Sequence, residues 1–582
     1  MTKGRSGVST RESASAIPGG LSRRRFLGGL GGAAAAAAAG SLALEPALPG
    51  GAEADADHVG PLIGQERLEA AYAQRIAAAD RMVAAGGALH DCNGDEALYP
   101  GRIGSFTKGL PHDPIGEVDG VAYQALLDAL ASGDPSDFEL IPLGGARKLV
   151  NPQAGLAFDT EGNDPHQFTQ PPAPAFASAW EAGEMIEVYW MALLRDVHVG
   201  AFGGPIAASE RLVRRAAREL SELSDFRGPK TGGAVTPQTL FRDPLPGALA
   251  GPYVSQFLLH PAPFGAEYVE RRMRCPVSGD DHVTSFGEWL AVQNGEVPGR
   301  QTFDPVRRFI RRTRDLAEWV HVDVLFQAYF NAALILAAPP APRSRPTGGG
   351  LGCPPNPGNP YLDSQTQEGF GTWGQPAFAA LLCEVATRAL KAVWHQKWFV
   401  HRRLRPEEFG GRVHVHRRGR ATYPIHPEVL ESEALRRVED RFGSSLLPQV
   451  FPEGSPIHPS YGAGHATVAG ACVTVLKALF DESFEIPDPV MPSPDGLRLL
   501  PYTPPESAPP LPLTVGGELN KLASNVATGR NHAGVHWRTD AAESLRLGEA
   551  VAVAMLEDHL AGFNEGGGFR FTGFDGDPIA IG

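Results

Sequence analysis

The chain has 582 residues, of which 42% are hydrophobic and 20% charged, and a formal charge of −14. That length exceeds what one small core needs, and the apolar content is that of a folded protein rather than a disordered one. The acidic balance argues against a nucleic-acid partner, whose phosphates would repel it. With 69 Gly and 52 Pro, long ordered loops between helices are expected.

The first segment is read as an export signal. Ser22-Arg23-Arg24-Arg25-Phe26-Leu27 precedes a Gly/Ala-rich apolar run from Gly28 to Leu44, and small-residue sites follow at Ala52-Glu53-Ala54 and Ala54-Asp55-Ala56. This is the pattern of a twin-arginine signal over residues 1–54, which implies a periplasmic or extracellular protein. A membrane anchor is the competing reading, but Gly and Ala are weakly hydrophobic. No other stretch approaches the ~20 apolar residues a membrane helix needs. Cleavage after Ala54 removes six basic and three acidic residues, taking the charge from −14 to −17. The twin-arginine route carries folded proteins, and a cofactor loaded in the cytoplasm is one common reason to fold first.

Leu62 to Ala85 has helical spacing, and Lys148 to Pro174 reads as loop. Phe176 to Val197 predicts a buried helix, Ala207 to Leu223 an amphipathic one, and Val306 to Ala337 one or two helices. Pro339 to Pro360, dense in Pro and Gly, is a linker or long surface loop. It separates an N-terminal helical region, 55–345, from a C-terminal helical bundle, 346–582. In the latter, a long helix is expected from Ala377 to about Leu404, stopped by Pro406. His465 to Phe480, Leu519 to Thr528 and Ala541 to Leu560 follow, with a Pro-rich excursion over Ile486 to Leu513. Strand alternation with hairpin turns is not seen, so the class is all-α.

Several motifs lead nowhere. Gly369, Gly371 and Gly374 fit a dinucleotide loop, but no strand precedes them and Gln375-Pro376 follows. Asp91-Cys92-Asn93-Gly94-Asp95 begins like a calcium loop, yet Glu96 stands where Gly is needed. Asp363, Gln365 and Gln367 could help bind a structural Ca²⁺, or form a solvated loop. The five cysteines lack CxxC spacing, which argues against zinc or haem; Cys383 and Cys472 are expected to be buried thiols. The basic run His401 to Arg420 is read as a local anion pocket plus a solvated loop.

Three segments carry the chemistry. In Lys397-Trp-Phe-Val-His-Arg-Arg-Leu-Arg405-Pro406, Lys397 and Arg405 are two helical turns apart and could face one side. In His458-Pro-Ser-Tyr-Gly-Ala463-Gly464-His465, a tight turn opens a helix whose free N–H groups suit an anion. In Arg530-Asn-His-Ala-Gly-Val-His536-Trp-Arg-Thr-Asp540, Asp540 lies one turn after His536 and could fix its tautomer. A lone buried Lys, Arg or His usually plays a structural part; the ordered combination is what stands out.

Lys…Arg-Pro, then a Gly-His turn, then Arg-x₅-His-x₃-Asp resembles the vanadium haloperoxidases and their relatives, the type-2 phosphatidic acid phosphatase superfamily. Asn93–Glu96, Ser105–Asp113, Tyr189–Asp196 and Phe451–Pro456 are similar to segments of the red-algal bromoperoxidase branch. The eight-residue step from Lys397 to Arg405 and His458 also fit the algal branch. The resemblance implies two merged four-helix bundles and a homo-oligomer, a dimer or larger. It implies vanadate as cofactor, with His536 as the vanadium ligand and Asp540 or a nearby carbonyl holding its other nitrogen. Lys397, Arg405, Arg530 and the Gly464 N–H would bind the vanadate oxygens. His465 would be the general acid–base, Lys397 would polarise the activated peroxide, and His458 would tune the pocket. Hydrogen peroxide, a halide (bromide by resemblance) and a small organic acceptor are the implied partners. Gln396 and Trp398 flank Lys397 and are candidates for halide preference.

One departure stands out: Ala463 replaces the family's usual Ser, whose hydroxyl bonds a vanadate oxygen. Its loss costs roughly 1–3 kcal/mol of anion binding unless water or the Gly464 N–H compensates. Two other readings compete: an acid phosphatase using the same pocket, with a phosphohistidine at His536, and an inactive secreted homologue.

Overall fold

The computed structural model describes residues 61–204, 210–340, 349–504 and 512–582; the signal read in residues 1–54 lies outside them. Among these residues thirteen α-helices have seven residues or more. In chain order they are α1 Gly64–Ala84, α2 Gly120–Ser132, α3 Ala179–Leu194, α4 Arg211–Glu222, α5 Phe286–Gln293, α6 Thr313–Trp319, α7 Gln327–Ala337, α8 Gln375–His395, α9 Pro406–Arg417, α10 Glu433–Phe442, α11 Gly464–Leu479, α12 Val515–His532 and α13 Arg538–Ala561. Helix accounts for 44% of the described residues, in keeping with the all-α expectation. Three antiparallel hairpins of three- or four-residue strands also occur: β1–β2, Ala262–Phe264 with Glu267–Val269; β3–β4, Val490–Pro492 with Leu499–Pro501; and β5–β6, Phe569–Thr572 with Pro578–Ile581. They escaped the sequence reading because strands this short give no run of alternation. No helix of the described residues is long and apolar enough to cross a membrane.

Residues 70–582 form one compact unit. Its centre is a four-helix bundle of α8, α11, α12 and α13, in which α11 against α13 is the most extensive pairing. The sequence of α11, Gly-His-Ala-Thr-Val-Ala-Gly-Ala-Cys-Val, is apolar and small on every face, the pattern of a helix buried all round. Every residue of α11 except His465 is buried, and every residue of α12 is buried. Glycines let the two backbones touch. A Cβ on Gly548 of α13 would sit 2.6 Å from the Ala471 nitrogen, and one on Gly470 would strike the Leu545 carbonyl. This contact fixes the starts of α11 and α13 beside one another. A second group, α3 with α4 and α10, meets the bundle through α12.

Two sequence expectations need correction. The helix expected from Ala377 to Leu404 ends at His395, continues as a π-helical turn over Gln396–His401, and is broken by Arg402 in the left-handed region at φ 40°. Pro406 does not stop it but starts α9, where a missing N–H costs nothing. Lys397 and Arg405 therefore do not lie on one helix. The basic run from His401 divides as expected into buried Arg403, Arg405 and Arg412 and exposed Arg417, Arg418 and Arg420, although its middle is helix α9 rather than loop. All five cysteines are free; Cys472 is buried as expected, but Cys383 is exposed on the outer face of α8.

Candidate active site

The site forms where the π turn, the 458–463 loop, the start of α11 and the α12–α13 junction converge. Lys397, on the π turn, donates from Nζ to the carbonyls of Pro459 at 2.8 Å and Ser460 at 3.0 Å. Arg405, which precedes α9, donates to the His458 carbonyl from Nε at 3.0 Å and from Nη2 at 2.8 Å, and to the Val535 carbonyl from Nη1 at 2.8 Å. Its Nη1 also lies 2.9 Å from His536 Nε2, and its Nη2 2.9 Å from His458 Nδ1. So the two cations meet on the Pro459 turn although they sit on different elements. Arg530, in the last turn of α12, reaches the Val320 carbonyl only at 3.4 Å, its Nε has no hydrogen-bond partner, and it lies over the Phe451 ring.

His536 Nδ1 is 2.7 Å from Asp540 Oδ2. Because a carboxylate accepts, Nδ1 carries the proton and Nε2 keeps its lone pair. Burial comes first, and Arg405, Lys397, Arg530 and His465 add to it, in holding the His536 pKa well below the ordinary value. His458 is depressed in the same direction by burial and by Lys397, Arg405 and His536. Both rings are thus neutral. Burial and the neighbouring Arg405 drive Lys397 well below its usual range; burial takes Arg405 down to about 9 and Arg530 to about 10.

The start of α11 has Ala463 as N-cap, with no side-chain hydrogen bond to the helix. The Ala463 N–H turns away and donates to Ser544 Oγ at 2.8 Å. Gly464 packs where a Cβ would be 3.1 Å from the Trp394 ring. His465 Nε2 lies 3.2 Å from Asp323 Oδ1, and the other Asp323 oxygen is buried without a partner.

All the residues expected from the three motifs are brought together. Five partners were missed. Asp323 sits on the loop between α6 and α7, which the sequence reading took for helix. Trp394 has its ring 5.0 Å from His458 and 5.8 Å from Lys397 Nζ. Arg403, Ser460 and Ser544 act from behind the Pro459 turn and α13. Only a fold could have joined these, since Asp323 and His465 are 142 residues apart. Gln396 and Trp398 do not line the site. Gln396 donates to the Phe168 carbonyl, and the fully buried Trp398 packs against Phe106.

The donor set fits an oxyanion. Three buried cations lie close to one another and to His536, and their side-chain hydrogen bonds go to neutral carbonyls and imidazoles, not to carboxylates. A buried cation paired this way is under pressure to lose its proton, and an anion relieves that pressure. His536 Nε2 adds a lone pair suited to a metal centre, so the residues fit vanadate. Elsewhere, one group among the described residues brings ligand atoms close enough for a metal ion, Glu161, Glu384 and His559. Arg388 already pairs with both carboxylates, at 3.0 and 2.7 Å, and reads as an ion-pair network. The Asp363, Gln365 and Gln367 loop is exposed, and the Gln365 amide donates to the Asp363 carbonyl.

Residues 379–565 match a family model described as the second helical-bundle domain of VCPO. The chain is 36% identical over 610 residues to the vanadium-dependent bromoperoxidase of Corallina officinalis, covering 89% of this chain and 99% of that one. It is also 36% identical to that of Ascophyllum nodosum, covering 90% and 94%. The solved homohexameric second vanadate-dependent bromoperoxidase of Ascophyllum nodosum superposes with a TM-score of 0.82 at 32% identity, covering 94% of this chain and 95% of that one. With relatives this similar along nearly its whole length, the chain belongs to the vanadium-dependent haloperoxidase family.

Proposed function

We propose that the protein oxidises halide, bromide foremost, with hydrogen peroxide to hypohalous acid, which halogenates a small organic acceptor. The observation that carries this reading is the group of buried cations left with carbonyl partners around a tautomer-fixed histidine, on a bromoperoxidase-like chain. His536 would hold vanadium through Nε2, and Lys397, Arg405, Arg530 and the Gly464 N–H would hold the vanadate oxygens. When bound, vanadate supplies Lewis-acid activation of peroxide without changing oxidation state. Asp540 keeps the His536 proton on Nδ1. His465, oriented by Asp323, accepts a proton from incoming peroxide and returns one when hypohalous acid leaves. Lys397 places positive charge beside the reacting oxygen, which makes it a better target for halide. Trp394 and His458 wall the space beside Lys397 and would influence which halide fits.

A periplasmic or extracellular location follows from the pattern in residues 1–54. A homo-oligomer is supported by the homohexameric neighbour and by α1, which buries none of its residues and exposes Tyr72, Ile76 and Val83. The division at 345/346 gives the C-terminal half the vanadate ligands, in line with the domain match over 379–565, and leaves Asp323 and α3 to the N-terminal half. Calcium at the Asp363 loop is testable by thermal unfolding with and without a chelator.

The deciding experiment loads apo-protein with orthovanadate and follows peroxide-dependent bromination of a phenolic dye, with chloride, iodide and phosphate-ester hydrolysis in parallel. Vanadate-dependent bromination that disappears in His536→Ala is expected. Phosphate release without halogenation would replace the proposal with the phosphatase.

A further inference from the structure

Behind His536 lies a second set of buried charges that the proposed chemistry does not use. Arg403 is only 2% exposed. Its Nη1 donates to Asp540 Oδ1 at 2.9 Å. Its Nη2 donates to Glu184 Oε2 at 3.0 Å and also to Glu181. The guanidinium lies over the Trp537 ring at 4.8 Å. Both glutamates belong to α3, where they are fully buried with Glu187 on one face.

The two oxygens of Asp540 have separate duties. Oδ1 takes Arg403. Oδ2 takes His536 Nδ1 at 2.7 Å, the Trp537 N–H at 3.2 Å and the Ser460 hydroxyl. A free carboxylate could rotate and exchange its oxygens; this one is held by a planar fork whose other arm is tied to α3. The main chain tightens the same joint. The Arg403 carbonyl accepts the Ser460 N–H at 3.0 Å, and the Ser460 carbonyl is one of the two that receive Lys397. Glu184 also accepts the Thr539 N–H at 2.8 Å, which caps the start of α13 between His536 and Asp540's helix.

We propose that Arg403 is a positioning residue for His536: anchored on Glu181 and Glu184 of α3, it fixes Asp540 and thereby aims the His536 nitrogen that would hold vanadium. This rests on the haloperoxidase reading of the site. Burial pushes Glu181 up to about 8 against the pull of Arg403. With one arm of the guanidinium on Asp540 and the other on α3, the part of Arg403 that matters is its fork and not its charge alone.

The test compares Arg403→Lys, Glu181→Gln and Asp540→Asn, alone and with Arg403→Lys combined with Asp540→Asn. Vanadate dissociation constants come from equilibrium dialysis with orthovanadate, and KM for peroxide and bromide is measured at saturating vanadate. Arg403→Lys is expected to weaken vanadate at least tenfold with both KM values within about twofold. Glu181→Gln, which keeps the side chain's shape and an oxygen to accept from Arg403, is expected to stay within about twofold. In the Asp540→Asn background, Arg403→Lys should add little, because the two act through one joint. An unchanged vanadate constant in Arg403→Lys, or a full effect that persists without Asp540, overturns the inference. Should Arg403→Lys not fold, Glu184→Gln removes one arm of the strut; vanadate weakened severalfold supports the inference, and an unchanged constant overturns it. Wild-type protein that fails to bind vanadate would instead sink the haloperoxidase reading, which keeps the two failures apart.

Discussion

Arg403 and Arg405 are two residues apart, equally buried, and electrically opposite. Arg403 is surrounded by Glu181, Glu184 and Asp540, and these carboxylates raise its pKa although burial opposes them. Arg405 turns to the other side of the chain and finds the carbonyls of His458 and Val535 and two imidazoles; burial prevails and its pKa falls. The contrast shows how a protein can retain an oxyanion with few bonds. The site withholds carboxylates from the cations meant for the ligand and spends them on the cation that holds the frame. A pair of unit charges at 4 Å is worth about 4 kcal/mol at an effective dielectric near 20, so the side on which a carboxylate sits decides whether an arginine is occupied or available.

The largest effect separates chemistry from capture. His465→Ala should still take up vanadate, since Lys397, Arg405, Arg530 and His536 remain, while bromination turnover falls by roughly 10²- to 10⁴-fold. Equal losses of vanadate and turnover would mean that His465 belongs to the holding group. Next, Arg405→Ala should weaken vanadate by on the order of 10³-fold, read by dialysis. A loss under tenfold would break the contrast with Arg403. Then Ala463→Ser restores a hydroxyl at the uncapped start of α11 and should tighten vanadate by about tenfold; no change would mean the Gly464 N–H already suffices. The most gradual effect is on stability. His395, His401 and His532 are pushed to about 3, His458 and His536 well below their ordinary value, each chiefly by burial. As pH falls below about 6.5 the unfolded chain binds protons that the folded one refuses, so stability is lost from there downward. Each such histidine contributes about 1.4 kcal/mol per pH unit. A melting temperature flat between pH 7 and 5 in apo-protein would contradict their burial as neutral rings.

The helices of the central bundle were legible because 3.6-residue spacing in Val385–Val393 and an unbroken run of small apolar residues in Val468–Leu476 are local properties. So were Lys397, Arg405, His465, Arg530 and His536, which sit in short motifs. What was not legible depended on distance in the chain or on backbone irregularity. Nothing near Asp323 announces His465, and nothing in Glu181 and Glu184 announces Arg403. The π turn escaped notice because Gln396–His401 has an ordinary helical composition, and only the left-handed Arg402 marks the break. Pro406 was recognised as a boundary but assigned to the wrong side, since the same fixed φ that ends one helix begins another. The helix expected over Leu519–Thr528 runs from Val515 to His532, and Gly529 within it packs against Val320 and Leu316.

The two innermost helices meet water through one imidazole, that of His465. On α11 and α12, admission and proton handling are therefore the same residue, and selection cannot alter one there without altering the other. Variation in which molecules are admitted is left to residues off these two helices, such as Trp394 on α8, whose ring lies 5.0 Å from His458.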